Sequence, residues 1–148
     1  MIVLKWFPLL LISVVFYNLL VYGGSLFVPD GQTADTFLNN DLMAPVLFSG
    51  EVWHFRVGDF VVLVSLALLF VEMIKATDTT SIEVVNHGLS MIVFVIALIE
   101  FLILPRFATS TFFFIMIMAL IDVIAGFTIT IVAAKRDLGG SGGLIGTN

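Results

Sequence analysis

The chain has 148 residues, 60% of them hydrophobic and 11% charged, with a mean hydropathy of +1.18. Soluble domains run at about 45–50% apolar and about 25% charged residues, so this composition excludes an ordinary soluble domain, excludes disorder, and makes the lipid bilayer the solvent. A net charge of −5 excludes nucleic acid as a partner, since phosphates need a cationic surface, and the absence of Cys excludes disulfides, thiolate metal ligands and dithiol redox chemistry.

Four apolar stretches reach the length of about 20 residues that a hydrocarbon core of about 30 Å demands. They cover residues 6–22, 57–74, 84–104 and 107–134. The predicted fold is therefore an all-α membrane protein, a four-transmembrane-helix bundle in residues 1–137 followed by a flexible Gly-rich tail, 138–148. The first stretch follows Lys5 as a signal peptide would, but Val21-Tyr22-Gly23 offers no small-x-small cleavage site. It reads as an uncleaved span with Trp6 and Tyr22 as interfacial anchors.

Between the first and second stretches lies one outward loop of about 33 residues, 23–56, carrying Asp30, Asp35, Asp41 and Glu51 against a single Arg. Residues 35–43 place Phe37, Leu38, Leu42 and Met43 on one helical stripe, and Pro45 ends the run. The economical reading is a short interfacial helix, with a gating or docking element as the alternative. The polar turn 76–83 joins the second and third stretches. Leu104-Pro105-Arg106-Phe107 is so short that the third and fourth must form an antiparallel hairpin.

Lys5, Lys75, Lys135 and Arg136 fall on one side of this layout and only Arg56 and Arg106 on the other, which predicts a multi-pass cell-membrane protein with both termini cytoplasmic.

The polar residues inside the stretches follow helical seams. Gly58, Val62, Ser65, Leu69 and Glu72 form one; Asn86, Ser90, Val93, Ala97 and Glu100 a second; Ile115, Ala119, Asp122, Gly126, Ile129 and Ala133 a third. Small and polar residues on one face permit close helix approach, so these faces are expected to pack against protein. Asp122 lies nearest a midplane, where a carboxylate is costly and so a candidate proton or cation carrier. The plainer reading is a neutral acid hydrogen-bonded to a neighbouring helix, for example to Ser65 or Ser13. Asp59, Glu100, Arg56 and Arg106 map to the outer boundary and are expected to form an ion-pair cluster. On the inner side Glu72 pairs with Lys75 and Glu83 with His87, which is a candidate pH sensor or simply an interfacial hydrogen-bonding group.

His54 and His87 fall at opposite membrane faces and cannot share an ion within one chain. Phosphate-cradling, zinc-protease, elbow-serine and dinucleotide motifs do not occur, so no cofactor, metal or catalytic residue is assigned. Two readings remain. One is a non-enzymatic subunit or scaffold that packs through its polar-small faces into a homo-oligomer or a larger complex with other membrane chains. The other is a small proton or cation channel or transporter component using Asp122 and Glu100.

Overall fold

The computed structural model describes residues 7–23, 28, 31–76 and 81–141, with side-chain surroundings given for all of these except 81–84, 133 and 136–141. Among the described residues eight elements follow one another: helix α1 (Leu10–Tyr22), helix α2 (Ala34–Leu38), strands β1 (Asp41–Met43) and β2 (Phe55–Arg56), helices α3 (Val57–Lys75) and α4 (Ser81–Ile103), a 3-10 turn (Pro105–Phe107) and helix α5 (Ser110–Ser141).

Among the described residues three helices are long and apolar enough to cross a membrane, within Val57–Lys75, Val85–Ile103 and Ser110–Val132. The first predicted span is shorter than expected. α1 has 13 residues, which at 1.5 Å per residue is about 20 Å, against a hydrocarbon core of about 30 Å. Its first turn is tightened by bonds from Leu11 and Ile12 to the carbonyls of Pro8 and Leu9, both 3.0 Å, because Pro8 has no amide to extend the ladder backwards. The predicted anchor Trp6 lies outside the described residues.

The outward loop also departs from expectation. Thr33 caps α2 by accepting the Thr36 amide at 3.2 Å, but the helix stops at Leu38. Leu42 and Met43 sit in β1 instead, paired antiparallel with β2 through Asp41↔Arg56 and Met43↔Phe55. A bridge Val46↔Val52 extends this pairing toward a tip at Ser49-Gly50, where Gly50 has φ +88°, a conformation that side chains with a Cβ resist. The result is a hairpin arm whose tip residue Phe48 is fully exposed.

The arm runs directly into α3, where Asp59 accepts the Arg56 amide at 2.9 Å. α4 and α5 form the expected hairpin, and Thr109 caps α5 by accepting the Phe112 amide at 3.2 Å. α5 continues through Ser141, so residues 138–141, predicted as flexible tail, are helical, and residues 142–148 lie outside the description.

α5 packs against α1, α3 and α4, with the α4–α5 contact the most extensive. α1 and α4 run toward the arm, whereas α3 and α5 run away from it, so the bundle has an arm end and a turn end. Most of each predicted seam faces inward: Gly58, Ser65, Leu69 and Glu72 of α3, Asn86, Ser90, Val93 and Ala97 of α4, and Ile115, Ala119, Asp122 and Gly126 of α5 are buried, Val62, Glu100 and Ile129 are half-buried, and the Ala133 side chain lies outside the description. Large apolar side chains such as Phe70, Ile92, Leu102 and Ile124 point outward.

Candidate functional site: a buried polar cluster at the turn end

Glu72 closes α3 with its carboxylate wholly buried. Oε2 accepts the Leu9 amide at 3.0 Å, an N–H that the start of α1 leaves without a helical partner. Lys75, one turn on, donates to Oε1 at 2.8 Å and to the Phe7 carbonyl at 2.9 Å. From α4, the Asn86 amide donates to Oε1 by a short hydrogen bond. One carboxylate thus ties the α1 entrance, α3 and α4 together.

Across the α4–α5 hairpin the same cluster continues. Ser90 faces Asp122, and the charges of Glu72 and Lys75 also reach that carboxylate. One turn further toward the turn end, the His87 ring lies directly over Gly126, where any Cβ would fall into the ring. His87 also meets Phe127, with ring centroids 6.4 Å apart. Asn86, His87, Ser90 and Asp122 are all buried, yet Asn86 Oδ1, Ser90 Oγ and Asp122 Oδ2 have no hydrogen-bond partner among the described residues. Lys75 is the partly open member, its side chain 12% exposed.

Asp122 meets neither of the serines named as examples: Ser65 donates to the Val61 carbonyl of its own helix at 2.8 Å, and Ser90 of the neighbouring α4 takes the place beside the acid. His87 is buried, with its ring over Gly126. The expected pairing of His87 with Glu83 lies outside the described side chains.

At the arm end the expected ion-pair cluster is divided. Glu100 accepts both bonds of the Asn18 amide, at 3.0 and 3.1 Å, and so joins α4 to α1. Asp59 serves the Arg56 amide, while the Arg56 guanidinium lies 4.0 Å from Asp41 and 3.5 Å from the Asn39 oxygen. Arg106 is exposed and makes no ion pair or hydrogen bond among the described residues. The aspartate that sequence spacing passed over is Asp41, which binds His54 Nδ1 at 2.7 Å on the arm.

Tyr17 fills the centre of this end. Its hydroxyl meets Thr109 by a short hydrogen bond, and its ring packs against Phe107 and Phe112 at centroid distances of 5.4 and 4.7 Å. Gly58 lets α3 come close here, since a Cβ would stand 2.6 Å from the Thr111 hydroxyl. Outside the core, an open groove of about 400 Å³ runs between α1 and α3, lined by apolar side chains except for Ser13 and Ser65.

Among the described residues no three His, Asp or Glu side chains are grouped to hold a metal ion. Comparison with family models, with curated proteins and with solved structures gives no match.

Proposed function

We propose that this chain is a non-enzymatic, multi-pass membrane subunit or scaffold, with α1 as a fourth, short crossing and with other membrane chains as its partners. The observation that carries this reading is the use made of Glu72. Its carboxylate is saturated by Leu9, Lys75 and Asn86, three groups from three elements, as a structural lock requires and a catalytic acid does not.

Because the polar-small seams already close within one chain, partner contacts fall to other surfaces. The groove between α1 and α3, with Ile12, Phe16, Leu20, Phe60, Val64 and Leu68 on its walls, suits an apolar helix of another chain. The arm offers Leu47, Phe48 and Trp53 at the level where aromatic residues meet headgroups or neighbouring subunits.

The conduit reading has less support. Glu100 belongs to the arm end and Asp122 to the turn end, and between Ser90 and Glu100 the inner face of α4 presents Val93 and Ala97 against Ile115 and Ala119. No polar station links the two acids along that face. Intact-complex mass measurement after extraction in mild detergent tests the subunit reading. A discrete assembly or a co-purifying membrane chain is expected; a monomer in every detergent and in nanodiscs would overturn it.

A further inference from the structure

The charges buried at the turn end do not cancel. Glu72 is answered by Lys75, whose ammonium is held between that carboxylate and the Phe7 carbonyl. Asp122, 1% exposed, makes no ion pair among the described residues, and the groups whose charge reaches it are Glu72 and Lys75, one of each sign. A buried carboxylate left in this position is neutralised either by a proton or by one positive charge from outside the cluster.

Three buried oxygens of this cluster are available to receive such a charge. Asp122 Oδ2, Ser90 Oγ and Asn86 Oδ1 are all buried and all without a partner among the described residues. Asn86 and Ser90 stand one turn apart on the same face of α4, and Ser90 faces Asp122 across the hairpin. Asn86 gives its N–H to Glu72, which leaves its oxygen as an acceptor.

One carboxylate with two neutral oxygens is a hard donor set with a single net charge. Hard oxygen donors suit alkali and alkaline-earth ions rather than transition metals. A divalent ion would need further carboxylates, and no such group of three is present among the described residues. We propose that Asp122, Ser90 and Asn86 form a binding site for a monovalent alkali cation, reached from the turn end past the partly exposed Lys75. This site is independent of the subunit reading, since either can fail without the other.

Among the described residues the other titratable group close to this part of α5 is His87, on α4 above Gly126. A histidinium there would supply the same charge and leave no need for a metal cation, so the experiment has to separate the two. Purified protein in nanodiscs is unfolded by heat while sodium chloride is replaced stepwise by N-methyl-D-glucamine chloride at constant ionic strength, at several pH values.

A melting temperature that rises with sodium concentration and saturates is expected for the wild type. Asp122→Asn should remove the sodium dependence. Ser90→Ala, which takes away one oxygen and no charge, should move the midpoint to about tenfold higher sodium, the factor that one lost hydrogen-bond-strength contact gives, and it keeps the test decisive if the Asn variant does not fold. A wild-type melting temperature indifferent to sodium at every pH overturns the proposal. So does a stability that follows pH alone, which would assign the charge to a proton on Asp122 or to His87.

Discussion

Glu72 has no spare oxygen: three donors converge on it, so replacing it strands all three. Glu72→Ala is expected to cost about 3–5 kcal/mol, the loss that follows when one partner of a buried ion pair is removed. Glu72→Gln keeps an acceptor and should cost less, about 1–3 kcal/mol. Detergent-titrated unfolding monitored by circular dichroism reads both, and equal losses would mean that hydrogen bonding, not charge, sets the effect. Gly126 is the other critical position. Gly126→Ala should lose about 1–3 kcal/mol by pushing the His87 ring aside, and His87→Ala in the same chain should recover part of it; strictly additive losses would deny the contact. Arg106→Ala is expected to stay within about 0.5 kcal/mol of wild type, as an exposed substitution does. The residues of the cluster were legible from spacing, because the seams through Glu72, Asn86, Ser90 and Asp122 follow a helical period. Their pairing was not, since span limits give depth only loosely. The short hairpin turn holds the missing signal: Ser90 and Asp122 are equally distant in sequence from Arg106.

Helix boundaries and the arm show what local pattern does and does not reveal. α3, α4 and α5 were legible from apolar length alone, and their observed starts and ends differ from the expected ones by one to three residues, except that α5 runs seven residues past its expected end. α1 was overestimated because hydropathy counts Trp6 to Leu9 as readily as the residues beyond Pro8, whereas the missing proline amide sets the helix start. The arm was mistaken for helix because Phe37, Leu38 and Leu42 share a helical stripe by coincidence of spacing. Ser49-Gly50 between Leu47-Phe48 and Glu51-Val52 is the hairpin signal that competes with it. Gly50 has open space around its Cα, so substitution there acts through the backbone alone. Gly50→Val is expected to destabilise the arm by about 1–2 kcal/mol, the cost of a side chain in a left-handed conformation. Limited proteolysis should then cut faster between residues 41 and 56 with an unchanged melting temperature; a lower melting temperature would show that the arm supports the bundle.

For the whole molecule, the decisive question is whether α1 crosses. If the three long helices all cross, the arm and the C-terminus are expected on opposite sides whatever α1 does. Only the N-terminus reports on α1. An N-terminal tag is expected on the same side as the C-terminus, with α1 tilted little and the membrane drawn in around its short apolar length. An N-terminal tag on the arm side would leave α1 folded back into the bundle from that face.

The bonds that seat α1 also impose an order in time. Its partners come late in the chain: Glu72 is 63 residues from Leu9, Glu100 is 82 from Asn18, and Thr109 is 92 from Tyr17. At a synthesis rate of about 5–20 residues per second, roughly 5–20 s pass between the emergence of Tyr17 and that of Thr109. For most of that interval α1 lacks Glu100 and its aromatic cradle, and Glu72 becomes available to it only part-way through. The nascent α1 therefore waits at the insertion machinery or in lipid as an undocked segment, and the α4–α5 hairpin, whose contacts are local, closes around it last.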